Sequence, residues 1–184
     1  MNNMTTSFNN TPYGTGVYNT TDPNQNSTYI LFDGIKSSSV GGLTDLGLNE
    51  YNEMTGNYIG NQTTSVNGVG VKGYWIEISL PVKIYLSYVN IYRYQLSNQP
   101  YNIMIVGNKT DNDEFATIAK ATSLRYTSSG DEAFIKIPVG SLFSYDRFRI
   151  IITRVGYEGD DGTFYGNNHF SLAEIELYGR ESLY

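Results

Sequence analysis

Apolar residues along this chain recur mainly at every second position, in short runs separated by Gly, Asn, Asp and Pro. Alternation with a period of two puts successive side chains on opposite faces, which is the pattern of a half-buried β-strand. Tyr29-Ile-Leu-Phe32 is a first short apolar run, and it stops at the turn pair Asp33-Gly34. Residues 37–64 read as loop, with one helical turn suggested by Leu43, Leu46 and Leu48; a stretch this long without regular structure is often functional. Residues 69–80 predict a strand with Trp75 and Glu77 on one face and Ile76, Ile78 and Leu80 on the other. Residues 84–94 predict another, and the shift of apolar parity between Tyr88 and Val89 predicts a bulge.

Further strands are expected at 101–106, closed by a Gly107-Asn108 turn, and at 133–139. Residues 115–121 suit either a strand or a helical turn. Residues 147–154 place Phe148, Ile150 and Ile152 on one face, and residues 171–178 place Ala173, Ile175 and Leu177 on one face. About seven or eight short strands with no helix of normal length between them predict an all-β sandwich or jelly roll. The first 27 residues are polar, rich in Asn, Thr and Gly, and without period. They predict a flexible N-terminal arm ahead of a sandwich spanning residues 28–184.

Composition narrows the function. The 184 residues contain no cysteine, which excludes disulfides, thiolate metal sites and thiol catalysis. The formal net charge is −6 and the basic residues are scattered, so neither nucleic acid nor an anionic membrane surface is an expected partner. No apolar run reaches bilayer length, so no membrane insertion is expected, and residues 1–26 lack the charge and apolar core of a signal peptide. Seventeen tyrosines against one tryptophan suit β-strands, and they also suit a binding surface, because the ring is apolar and its tip polar.

Four segments, in order along the chain, resemble the discoidin, or coagulation-factor C-type, domains and related carbohydrate-binding modules, the galactose-binding-like family. They are Leu31-Phe-Asp-Gly34, Gly73-Tyr-Trp-Ile-Glu-Ile-Ser-Leu80, Asp146-Arg-Phe-Arg-Ile-Ile-Ile152 and Ser171-Leu-Ala-Glu-Ile-Glu-Leu-Tyr-Gly179. The likeness covers about residues 28 to 179. It implies a jelly-roll β-sandwich of the galactose-binding type. It also implies a structural Ca2+ shared by the Asp-Gly turn and the closing strand, here Asp33 and Glu174, through hard oxygen ligands. Family members that bind sugars do so with loops at one end of the sandwich. In this chain that places the site in residues 156–169, where Tyr157, Phe164 and Tyr165 offer a ring for the apolar sugar face. Asn168 and His169 offer hydrogen bonds, and Arg93 and Tyr94 approach from a neighbouring loop.

Signs of catalysis are few. His169 is the sole histidine, so no two-histidine metal site can form, and no nucleophile elbow, phosphate loop or dinucleotide fingerprint is present. Glu158, Asp160 and Asp161 form a tight acidic group, and a glycosidase needs two carboxyls across a cleft. An acidic surface loop is the commoner use of such a group, and the expectation is a binding module, not an enzyme. Three readings compete: a glycan-binding attachment module, a structural subunit packing on neighbouring proteins in a larger assembly, and a glycoside hydrolase. The polar arm before one sandwich points to a virus or phage particle, as a minor capsid or fibre-associated protein; the alternative is a lectin-like protein at a cell surface or outside a cell.

Overall fold

Residues 74–93 of the chain form one uninterrupted strand, and the rest of the molecule is arranged along its two edges. The computed structural model describes residues 2–3, 15–18, 31–32, 35–36, 43–94, 98–108, 114–126 and 133–182. Its strands are β1 (Asn2–Asn3), β2 (Thr15–Tyr18), β3 (Leu43–Leu46), β4 (Thr63–Val66), β5 (Val69–Lys72), β6 (Tyr74–Arg93), β7 (Pro100–Asn108), β8 (Glu114–Ala121), β9 (Phe134–Pro138), β10 (Tyr145–Glu158), β11 (Phe164–Gly166) and β12 (Phe170–Glu181). Among the described residues no helix is long and apolar enough to cross a membrane.

The first half of β6 lies between β2 and β10, and the layer continues through β7, β8, β4 and β5. The second half lies between β9 and β12, and β12 carries β3 and β1 on its other edge. All but one of these pairings are antiparallel; β4 meets β8 in parallel. One core is shared by both layers, with Ile76, Ile78, Ile150, Ile152 and Ile105 from the first and Val89, Ile91, Ile135, Ile175 and Leu177 from the second. The fold is an all-β jelly-roll sandwich, as the alternation predicts.

Several sequence expectations change in detail. The two strands expected at 69–80 and 84–94 are cut differently: Gly73 separates β5 from β6, and β6 runs on through Pro81. Proline has no N–H for a ladder, and here it is exposed, in the gap between the pairs Ser79↔Arg147 and Ile84↔Tyr145. The predicted bulge is present at Ser87. The partners of β12 step from Tyr88 to Leu86, and the buried positions switch from Ile84 and Leu86 to Val89 and Ile91. Gly107-Asn108 is not a turn but the end of β7. A Cβ at Gly107 would stand 2.6 Å from the Tyr145 ring, so the glycine admits that ring. Leu43–Leu46 is a strand, not a helical turn, because it adds to the edge of β12. Ala173 sits at a register shift of β12, so the core face is Phe170, Leu172, Ile175 and Leu177. Of the expected arm, Asn2–Asn3 pairs with β12 and Thr15–Tyr18 with β6; the rest of residues 1–27 lies outside the described residues.

The outer face of the first layer is not left to water. Val66 of β4 packs with Val106, Phe115 and Ile151, and Val71, Trp75 and Met104 join them. Glu77, buried beside this cluster, accepts from Arg147 Nε at 2.8 Å and from Arg149 Nε at 2.6 Å, and Arg149 lies 4.1 Å from the Trp75 ring.

Candidate functional site

The loops at one end of the sandwich converge because three glycines let backbones touch. Asn52 starts a tight turn: its side-chain oxygen accepts from the N–H of Met54 at 3.1 Å and of Thr55 at 2.9 Å, an Asx-type cap that asparagine makes well. The turn closes through Gly56 N–H to Asn52 O at 2.7 Å. Gly56 has a φ of +66°, and a Cβ there would stand 1.9 Å from the Val155 carbonyl. A Cβ on Gly166 would stand 2.6 Å from Glu53 O and Gly56 N, and one on Gly156 2.2 Å from Tyr165 O. Only glycine permits this approach, and it locks the 52–57 turn against the β10–β11 hairpin.

In that hairpin Tyr157 pairs with Tyr165 and Glu158 with Phe164. The alternation divides the aromatic residues. Tyr157 and Tyr165 share one face, with ring centroids 5.0 Å apart and planes 17° from parallel, and Tyr165 is 45% exposed. Phe164 points the other way, edge-on to Tyr101 at 4.8 Å with the Arg154 guanidinium 3.7 Å above it, and so packs the hairpin down. The acidic turn is occupied by its own structure. Glu158 binds Arg125 at 2.8 Å and accepts from the Tyr101 hydroxyl at 3.0 Å, and these bonds hold its carboxyl below the usual range. Asp161 accepts from the Thr163 N–H at 2.9 Å, which lowers its carboxyl too.

After β11 the chain turns back through a run of amides and an imidazole. Asn167 donates to Asn98 Oδ1, and Asn98 Nδ2 approaches His169 Nε2. His169 Nδ1 lies 2.6 Å from Asn168 Oδ1, and Asp45 Oδ1 lies 3.4 Å from Nε2. Both ring nitrogens of His169 are thus engaged by neighbouring side chains. Asn168 Nδ2 donates onward to Asn49 Oδ1 at 3.2 Å and Glu53 Oε1 at 3.3 Å. These residues border an open depression of about 390 Å³ lined by Asn49, Tyr51, Asn52, Glu53, Met54, Ile59 and Asn168. Buried Tyr51 forms its base, donating to Ile152 O at 3.1 Å and meeting Tyr58 and Phe170 edge-on.

The structure therefore brings Tyr157, Tyr165, Asn168 and His169 to one end, with Phe164 supporting them from beneath. Tyr94, half-buried, follows the last residue of β6, before residues that lie outside the described set. Arg93 is 9% exposed, its guanidinium 5.7 Å from the Tyr126 ring. The sequence reading missed Asn49, Asn52, Glu53, Met54 and Ile59. The signal was present in the loop at 37–64: Asn52 four residues before Gly56 is the mark of a side-chain-capped turn. Of the proposed metal ligands, Glu174 is fully buried on the outer face of β12, opposite Tyr92. A buried carboxylate is held by hydrogen bonds, by an opposite charge or by a metal, and Glu174 has interactions of its own in this structure. Asp33 lies outside the described residues, and among those described no three His, Cys, Asp or Glu groups gather around a metal position.

No family model matches the sequence, and no curated protein matches it. Solved structures do match. Chitosan-binding module 1 of a chitosanase/glucanase from Paenibacillus sp. IK-5 superposes with a TM-score of 0.55 at 16% identity, covering 97% of this chain and all of that one. This is the galactose-binding, discoidin-like fold. Chitosan-binding module 2 of the same enzyme, in complex with chitotriose, gives 0.52 at 14% identity over 91% of this chain and 97% of that one. The CBM32-1 and CBM32-2 domains of Clostridium perfringens ZmpB, in complex with GalNAc, give 0.55 at 9% identity over 92% of this chain and 35% of that one.

Proposed function

We propose that this chain is a non-catalytic glycan-binding module whose ligand lies on Tyr165 at the loop end of the sandwich. The observation that carries this reading is the stacked, partly exposed Tyr157–Tyr165 pair on the β10–β11 hairpin, whose chain runs on into the networked Asn168 and His169. A ring pre-oriented by its neighbour offers a flat apolar face to a sugar, and groups fixed in a hydrogen-bond network orient its hydroxyls at little entropic cost. The similar structures that hold chitotriose and GalNAc support the ligand class. Hydrogen bonds lower the carboxyls of Glu158 and Asp161, whereas a general acid needs a raised one, so neither suits that role.

A glycan array probed with the intact protein beside a Tyr165→Ala, His169→Ala double variant tests the assignment. Wild type is expected to bind a defined set of glycans and the variant to lose them; a glycan still held by the variant would remove these two residues from the site. The reading extends to a structural Ca2+ held by Asp33 and Glu174. It extends also to a virion setting, which rests on the polar composition of residues 1–27. Purified particles without this chain in their mass spectrum would end the virion part.

A further inference from the structure

The two ends of the sandwich carry unlike apolar surfaces. At the loop end the surface is a recess: the depression has Met54 and Ile59 at its edge, 84% and 60% exposed. It opens on the Gly166 side of the β10–β11 hairpin, where Gly166 rests on the backbone of Glu53 and Gly56. Side chains alternate along a strand, so the Tyr165 ring faces the other way, and a glycan on that ring does not fill the depression.

At the far end the surface is a knob. β10 runs from Glu158 at the loop end back to Tyr145, roughly 45 Å for a strand of 14 residues. The chain between β9 and β10 turns there, beside the middle of β6. Val139 N–H donates to Ser87 O at 2.8 Å and Ser141 N–H to Leu86 O at 3.3 Å, and Ser141 Oγ donates to Phe143 O at 2.5 Å. Leu142 and Phe143 stand out from this tied backbone, 86% and 53% exposed. Side chains on a fixed backbone lose little freedom on binding, and covering them in a recess removes apolar surface from water.

Charge sets the direction of the contact. Glu53 lies in the depression, Glu50 and Asp45 lie on the segment that borders it, and among the described residues no lysine or arginine lines it. Two depressions face to face would set these carboxylates against their own copies, which is repulsive. The knob end carries Lys83 and Arg180, both exposed, beside Asp146 and Glu181. Ser182 N–H donates to Lys83 O at 2.8 Å, and Arg180 pairs with Tyr85, which fixes both cations to that end. A recess of one sign draws groups of the other.

We propose that copies of this chain associate head to tail, the Leu142–Phe143 knob of one seated between Met54 and Ile59 in the depression of the next. This goes beyond the glycan-binding reading, and neither depends on the other. Knob and recess lie at opposite ends of one molecule, so the contact is heterologous and does not close after two copies. A contact this small is weak, and assembly depends on concentration. Every copy keeps its Tyr165 ring uncovered, so a row of copies presents a row of rings and gains avidity from a weak single site.

Light scattering at rising concentration tests the proposal, on wild type, Leu142→Asp and Ile59→Asp, each shown by thermal melting to be folded. Both side chains are exposed, so the substitutions spare the core; Phe143→Asp and Met54→Asp replace either variant that fails to fold. The wild-type mass is expected to rise past that of a dimer. Each variant alone is expected to stay monomeric, because it lacks one half of the contact. An equimolar mixture of the two is expected to form dimers and stop, the intact knob of one variant fitting the intact depression of the other. Wild type that stays monomeric, or that stops at a dimer, overturns the proposal. A single variant that still assembles, or a mixture that stays monomeric, overturns it too.

Discussion

Four donors converge on the Glu176 carboxylate: Lys36 Nζ at 2.8 Å, Tyr92 and Tyr178 hydroxyls at 3.0 Å each, and Asn90 Nδ2 at 3.1 Å. Burial alone would raise this carboxyl, but the bonds from Lys36, Asn90 and Tyr92 outweigh it and hold the carboxyl below its ordinary 4.5. Burial, with the same carboxylate beside it, pushes the Tyr178 hydroxyl up to about 12, so it stays a donor at neutral pH. A carboxyl lowered on folding contributes stability that is present above the unfolded value and lost as pH falls through the folded one. The chain is therefore expected to lose stability below about pH 4.5, and Glu176→Gln to flatten that part of the curve. At pH 7 the substitution should cost about 2 kcal/mol, read from urea unfolding; an unchanged acid limb would show that Glu176 is not its source. Little of this was legible beforehand. Residue types marked Tyr157, Tyr165, Asn168 and His169 as site candidates. Which aromatic faces outward depends on the pairing of a three-residue strand, so Phe164 could not be told from its neighbours.

At the scale of elements, periodicity carried most of the information where one face is buried. The parity change in β6 located its bulge to within about a residue, because a one-residue slip would turn every inward side chain outward. Joining 74–80 to 84–93 was not legible. Pro81 reads as a strand end, and only the gap in the β10 ladder makes it harmless there. The 52–57 turn was equally hidden, since its geometry comes from contact with Gly156 and Gly166, more than 90 residues away in sequence. That contact predicts a contrast between two glycines. Gly166→Ala drives a Cβ to 2.6 Å from the backbone of Glu53 and Gly56, whereas Gly140→Ala meets nothing within 4 Å. The first is expected to cost about 1–3 kcal/mol and to weaken glycan binding, and the second to stay within about 0.5 kcal/mol. Similar melting curves for both variants would mean that the turn is not docked as described.

For the whole molecule, the question is what holds the start of the sandwich to its closing strand in a chain without cysteine. Leu31 is fully buried in the core, and Lys36 is tied to Glu176 on the outer face of β12. The described residues on both sides of Asp33 are thus anchored to the sandwich, Lys36 on the β12 face that also carries Glu174. The Lys36–Glu176 pair supplies one clamp. The proposed Ca2+, shared by Asp33 and Glu174 through oxygen ligands, would add a second clamp. An ion bound by the native state alone raises stability by RT ln(1 + [L]/Kd), about 2.7 kcal/mol at a hundredfold excess over Kd. For a domain of this size that amounts to roughly 5–10 °C in melting temperature. Adding Ca2+ to chelator-treated protein is expected to produce such a rise in wild type and none in Glu174→Gln, whatever the baseline stability of the variant. A wild-type melting temperature indifferent to both chelator and Ca2+ would mean that protein groups alone balance Glu174, leaving the Lys36–Glu176 pair as the clamp between residues 35–36 and β12.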